Sequence, residues 1–298
     1  MSKVDFHMHS SYSHDGDYTP EELLRLAHKE GLRAMAVTDH NSTRGVGEAI
    51  HAGQSLNIEV VPATELDCLY NGIIFHVLGY YIDHTYKEYY KIEKYVLEQE
   101  IAVSRQRVEL IRKLGIEVDM DEALSISKDG SISGEVIAEV VLKKPESYEN
   151  PLLRPYLPGG HRSDNPYVNF HWDYCSQGKP AYVHIQYISM KEAISLITAT
   201  GGIPVLAHPG INLKGRTELL KDIVGMGIRG IEAYSSYHTQ EQNIFFDKKA
   251  KEYNLLITCG SDFHGKIKPA VFMGRFGLEQ DGLDIFRALK EFKLNKLA

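Results

Sequence analysis

Hydrophobic residues along this chain fall into short β-branched runs that end on a histidine or a carboxylate. The runs RAMAVTDH (33–40), IEVVPATE (58–65), IPVLAH (203–208) and LLITCGSDFH (255–264) all have this form. An earlier run, Lys3 to Phe6, leads into His7-Met8-His9, and IIFHVLGY (73–80) carries His76 within it. Side chains alternate along a strand, so His7 and His9 leave the backbone on one side. A turn of Ser, Asp and Gly then brings Asp15 back toward the same end. His76, set among Ile, Phe and Val, needs a polar partner.

Helical patterns separate these runs. Thr19-Pro20 with Glu22 is a capped helix start, closed by Gly31; Ser189 with Glu192 and Thr239 with Gln242 repeat the signal. Strands beginning near Lys3, Arg33, Ile58, Ile73, Ile203, Ile228 and Leu255, each followed by connecting sequence long enough for a parallel crossover, predict a seven-stranded β/α barrel. The rhythm breaks between the two groups of strands. Thr85 to Gly115 has helical periodicity through Ile92, Val96, Val103, Val108, Ile111 and Leu114, and reads as a long charged strut. Residues 143–179 are rich in Pro, Gly, Asn and aromatics and follow neither period. The expected organisation is a barrel over 1–84 and 179–298, with a mainly helical cap inserted at 85–178.

A chain of 298 residues suits one barrel with an insertion. It shows no basic-then-apolar leader and no apolar run of membrane-spanning length, so a cytoplasmic protein without a membrane partner is expected. Cys68, Cys175 and Cys259 are odd in number and widely spaced, which fits a reducing compartment. A net charge of -7 excludes a long nucleic acid held on a basic face, while a small phosphorylated substrate stays open. The oligomeric state is not legible.

The strand ends together supply His7, His9, Asp15, His40, Glu65, His76, His208, Asp262 and His264, nitrogen and oxygen ligands in excess of what one ion needs. Such a set without thiolates suits zinc, manganese or iron, shared among two or three ions. Three divalent ions against Asp15, Glu65 and Asp262 leave about +3 at that end, which would attract a phosphate. A bridging water acidified by its ions would supply the nucleophile. A Ser-His-Asp mechanism through Ser10, Ser13 or Ser261 lacks a nucleophile-elbow sequence.

The motifs HMHSSYSHDG, VTDHN, ATE, FHVLGY, LAHPG and GSDFHG, in that order, resemble the polymerase and histidinol phosphatase (PHP) superfamily, specifically its stand-alone metal-dependent phosphoesterases with a helical insertion. The resemblance covers about two thirds of the chain. It implies a distorted seven-stranded (β/α)7 TIM-like barrel. One ion is implied on His7, His9, Glu65 and Asp262, a second on Glu65, His76 and His208, and a third on Asp15, His40 and His264. Asp15, Glu65, Asp262 and His208 form the expected catalytic set, with Asp39 orienting a ligand. Relatives of the nucleotide-phosphatase type carry an Arg-Pro-His triplet where Gly134-Glu135-Val136 stands, and an arginine after Lys-Pro-Ala-Tyr-Val where His184-Ile185 stands. Substrate contacts are therefore expected from Arg162 and His184, with Arg44, Lys266, Lys268 and His238 nearby. Trp172 and Tyr174 offer faces for a ring.

The expected activity is hydrolysis of a small-molecule phosphomonoester, a nucleotide or similar. The alternatives are a 5'-3' exonuclease on short oligonucleotides, a non-catalytic metal-binding module, and an amidohydrolase. The last would need a bridging lysine at a strand end, and none stands there.

Overall fold

Residues 2–295 are described by a computed structural model. Among these residues nine strands form two sheets: β1 (Val4–Asp5), β2 (Ala34–Met35), β3 (Glu59–Val60), β4 (Ala63–Tyr70), β5 (Ile73–Tyr80), β6 (Ile188–Ser189), β7 (Ile203–Leu206), β8 (Gly230–Ser235) and β9 (Leu256–Gly260). The first sheet is parallel, in the order β1-β2-β3; the second runs β6-β4-β5-β7-β8-β9. The all-parallel expectation fails at β5. Only Asn71 and Gly72 join β4 to β5, too few for a crossover, and with φ of 50° and 71° they make a tight hairpin. β5 also pairs antiparallel with β7, so the sheet is mixed.

Regular pairing does not close into one sheet. Single parallel bridges link the two, Met8 to Phe263 and His40 to Glu65. Both bridges lie at the ends of strands where the polar residues cluster.

The expected helix starts form. Thr19 and Glu22 cap Pro20–Lys29 reciprocally, as do Ser189 and Glu192 for Met190–Ala199, and Thr239 and Gln242 for Gln240–Glu252. Such caps are worth about 1 kcal/mol each. They fix where each helix leaves its strand end. Under the sheets lie apolar clusters around Leu66, Phe75, Ile197 and Ile231, around Val4, Phe6, Leu78 and Val205, and around Met8, Leu23 and Met35.

Between β5 and β6 the chain builds a separate cluster. The helix Lys87–Lys113 is not a solvated strut throughout, because Val108 and Ile111 are buried near its C-terminal end. They pack with Ile137, Val141, Phe170 and Ala181. Arg107 is buried beside them, donating to the Ile132 carbonyl at 2.6 Å and to Glu100 at 2.8 Å. The irregular stretch contains short turns of helix at Pro145–Tyr148, Arg154–Tyr156, Pro166–Phe170 and His171–Cys175. No helix among the described residues is long and apolar enough to cross a membrane.

Candidate metal centre

All nine strand-end residues meet. His7 Nε2 lies 3.1 Å from Glu65 Oε2 and 3.2 Å from Asp262 Oδ1; His9 Nε2 lies 3.3 and 3.0 Å from the same atoms. His76 Nδ1 and His208 Nε2 stand 3.2 and 3.1 Å from Glu65 Oε1. His264 Nε2 and His40 Nε2 stand 3.1 and 3.7 Å from Asp15 Oδ2. Four groups are spaced for an ion: His7, His9, Glu65 and Asp262; Glu65, His76 and His208; His9, Asp15, His40 and His264; and His40, Asp67 and His76.

Backbone detail makes this convergence possible. A Cβ on Gly260 would lie 2.2 Å from His7 Cβ, so only glycine lets the end of β9 approach the His7 segment. A Cβ on Gly16 would sit 1.9 Å from the Ser10 carbonyl oxygen, so glycine also closes the turn that returns Asp15. Asp262 itself adopts φ 56°, a left-handed geometry that aspartate tolerates better than most residues.

Six buried polar atoms on these residues have no hydrogen bond: His9 Nδ1, and five that lie against other ligand atoms, His7 Nε2, His9 Nε2, Glu65 Oε2, Asp262 Oδ1 and His264 Nε2. Leaving such atoms unpaired in a protein interior costs about 1–3 kcal/mol each. Five of them aimed at one region fit cations as the missing partners. The donor set, imidazole and carboxylate without thiolate, fits zinc, manganese or iron.

Outer contacts orient the inner ones. Glu232 accepts from His7 Nδ1 at 2.9 Å and from the His208 backbone N–H at 2.7 Å. His208 Nδ1 pairs with Asn212 Oδ1 at 2.6 Å. Asp262 Oδ2 accepts from Lys268 Nζ at 2.7 Å and from the Tyr237 hydroxyl, leaving Oδ1 facing the histidines. Asp39 is hydrogen-bonded to Ser10 and not to a ligand histidine; it accepts from Ser10 N and Oγ at 2.6 and 2.7 Å and so holds the turn.

Electrostatics keep the carboxylates ionised. Burial works to raise Asp15 and Glu65, but the surrounding imidazoles hold both well below the usual range. Burial likewise opposes the charge on Asp262, yet Lys268 first and then His264 and His7 hold it low. His7 is desolvated, but Glu65, Glu232 and Asp262 push it well up; burial also opposes His40, which Asp67, Asp15 and Glu65 raise to about 10. Burial lowers His264 to about 4. Asp15, Glu65 and Asp262 thus keep their negative charge in a buried place.

A cavity of about 910 Å3 opens from the centre toward the segment after β5. His14, Asp15, His40, Asp67, His76, His208 and Asp262 line one side, and Arg107, Glu135, His171, Trp172 and Tyr182 the other. Lys214, Arg216, Tyr237 and Lys268 complete the wall. Glu135 pairs with His171 at 3.0 Å and, despite burial, is lowered to about 2 by that imidazole.

The residues expected to contact substrate are placed differently. Arg162 makes a two-point pair with Asp173 at 2.9 and 3.0 Å. Arg44 is paired with Glu93 at 2.6 Å and Lys266 with Glu139 at 2.9 Å, both half-exposed. His184 is exposed, 3.4 Å from the Tyr182 hydroxyl. His238 donates to the Ala233 carbonyl and accepts from Gly210 N–H, each at 3.0 Å, so it braces the turn after His208. None of these five side chains lines the cavity. Carboxylates nearer in space claim the three cations, and charge counting along the sequence does not show such pairings. Asp67, Tyr237 and Arg107 are not singled out by the sequence, and Glu232 stands out only as a strand-end residue without a role. A charge inside the apolar strand GIEAYS, and an aspartate two positions after Glu65, were the signals available for Glu232 and Asp67.

The chain is similar to several known proteins. The PHP domain model matches residues 5–151. A phosphoribosyl 1,2-cyclic phosphate 1,2-diphosphodiesterase from Eggerthella lenta is 28% identical over 264 residues, 88% of this chain and 94% of that protein. A 5'-3' exoribonuclease from Haemophilus influenzae is 28% identical across 88% of this chain and 90% of its own length. A 3',5'-nucleoside bisphosphate phosphatase from Chromobacterium violaceum is 29% identical across 89% and 88%. The solved structure of an amidohydrolase from Chromobacterium violaceum, with bound sulfate, superposes with a TM-score of 0.78 at 27% identity, covering 97% of this chain and 96% of that one.

Proposed function

Because the chain belongs to the PHP family of metal-dependent phosphoesterases, we propose that it hydrolyses a phosphomonoester of a small molecule, a nucleotide or similar, at the nine-residue centre. The observation that carries this reading is the set of five buried nitrogen and oxygen atoms without hydrogen bonds, clustered beside the cavity that Asp15, His40, His76, His208 and Asp262 line. Divalent ions in such a place supply an acidified water and charge for a phosphoryl oxygen. His7, His9, Glu65 and Asp262 would hold one ion, Glu65, His76 and His208 a second, and Asp15, His40 and His264 a third, with manganese, zinc or iron as candidates.

The chain's own groups do the rest. Asp15, Glu65, Asp262 and His208, the proposed catalytic set, keep negative charge and a nitrogen donor where the ions bind. Lys268 and Tyr237 clamp the outer oxygen of Asp262 so that its inner oxygen stays aimed. Trp172, packed edge-on to Tyr237 with ring centroids 5.7 Å apart, would cover a substrate ring and exclude water. We read residues 85–178 as a cap over this mouth, and β1, β2, β3–β4, β5, β7, β8 and β9 as one distorted seven-stranded barrel joined through the two single bridges.

The cavity volume favours a small substrate. Trp172 on its wall supports the second reading, trimming of short oligonucleotides by base stacking. The test is to count manganese, zinc and iron per chain and to assay phosphate release from mononucleotides, sugar phosphates and short 5'-phosphorylated oligonucleotides. More than one ion per chain with release from monoesters supports the proposal. Shortening of oligonucleotides without monoester hydrolysis selects the exonuclease, and no turnover after reconstitution favours a binding module.

A further inference from the structure

Asp67 belongs to no ion assigned above, yet it sits between two of them. Alternation along β4 puts Asp67 on the same face as Glu65, and the antiparallel register puts His76 directly opposite. One oxygen, Oδ1, lies 3.2 Å from His40 Nδ1 and 3.4 Å from His76 Nε2. The other accepts from Asn41 Nδ2 at 2.7 Å, while Asn41 Oδ1 accepts from the Asp67 N–H at 3.0 Å. This ring of two hydrogen bonds fixes the carboxylate plane. Asn41 manages it from φ 55°, a left-handed geometry that few other side chains tolerate.

The second nitrogen of each imidazole faces a different group. His40 Nε2 points at Asp15, in the group that contains His264, and His76 Nδ1 points at Glu65, in the group that contains His208. A histidine can offer a lone pair from one ring nitrogen when the other donates its proton to a fixed acceptor. Here one carboxylate is placed to be that acceptor for two rings. The His7 and His9 rings make no contact with it.

Resting on the metal-centre reading, we propose that Asp67 is a positioning residue that orients His40 and His76 together and so couples the filling of two ion sites. Without it each ring is free to turn or exchange tautomer, and both sites weaken. The site on His7, His9, Glu65 and Asp262 is left with its ligands held as before, because Glu232 rather than Asp67 orients His7.

The experiment is a titration of metal-free full-length protein with zinc, by equilibrium dialysis with elemental analysis, and with cadmium, followed by cadmium NMR with one resonance per ion. Unaltered protein, Asp67→Asn, Asp67→Ala and Asn41→Ala are compared, and thermal unfolding of each metal-free form reports the fold. In Asp67→Asn two ions are expected to weaken together by about 10–100-fold, with a third resonance unmoved and metal-free unfolding unchanged. Asn41→Ala is expected to weaken the same two by a smaller factor. Loss of a single ion outright would make Asp67 a direct ligand and overturn the proposal, as would unchanged affinities. Failure of the unaltered protein to bind any ion would sink the metal-centre reading itself, and the inference with it.

Discussion

The strand-end centre and the helical region after β5 handle buried polarity in opposite ways. At the centre, His7 Nε2, His9 Nε2, Glu65 Oε2, Asp262 Oδ1 and His264 Nε2 face one another without hydrogen bonds. In the helical region the charges nearest the interior are closed by neighbours: Arg162 by Asp173, His171 by Glu135, and Arg107 by Glu100 and the Ile132 carbonyl. The exception is Arg107 Nε, which is buried without a partner. The first arrangement gathers ligand-type atoms that do not pair with one another; the second pairs charge with charge. Strain held at one place and relieved in another is the mark of a site as opposed to a scaffold.

The largest expected effect comes from removing a ligand. His7→Ala or Asp262→Ala should lower phosphoester hydrolysis by on the order of 10^3-fold or more, with some loss of metal-free stability as well, since Glu232 or Lys268 then loses a buried partner. Retained activity in metal-replete, folded protein would put the chemistry elsewhere. Chelation should reproduce the loss, and added manganese or zinc should reverse it.

Cutting into the other region should separate stability from chemistry. Phe170 is fully buried among Tyr156, Tyr174 and Val141, and Phe170→Ala should destabilise that cluster by about 3–5 kcal/mol. Limited proteolysis should then cut within 85–178 at lower temperature, with the ions still bound. Loss of the ions together with that cluster would show that the two regions are not separable.

Glu232→Gln tests the boundary between the two behaviours. It keeps the shape of the group that orients His7 and holds the His208 backbone, so metal affinity should fall by about 10–100-fold while the fold persists. Equilibrium dialysis measures it.

The smallest effect is in acid. Glu135 is depressed from 4.5 to about 2 by His171, so the pair adds stability above pH 4.5 that is lost as pH falls toward about 2. Glu135→Gln in metal-free protein should flatten that part of the acid-unfolding curve and leave the neutral range nearly unchanged. An identical acid limb in both proteins would mean that the pair contributes nothing.

Much was legible because ligands are placed by period and strand ends by composition. His7 and His9 are two apart, and His40, Glu65, His208 and Asp262 each end an apolar run, so one pattern named them all. The three capping boxes were equally local. The hairpin at Asn71-Gly72 was local too, and the expectation of parallel strands overrode a turn signal that was present. Asp67 was available by the same two-residue period from Glu65.

What the sequence determined by itself was whatever depends on near neighbours: strand and helix order, caps, and the identity of the side chains at the strand ends. Only the tertiary structure decided which cations remain available, because Arg162, Arg44 and Lys266 are claimed by Asp173, Glu93 and Glu139, the last two distant in sequence. It also decided that Lys268 meets Asp262, that Glu232 meets both His7 and His208, and that one aspartate lies between His40 and His76. Charge pairing depends on distance in space, and strand register with chain closure sets that distance.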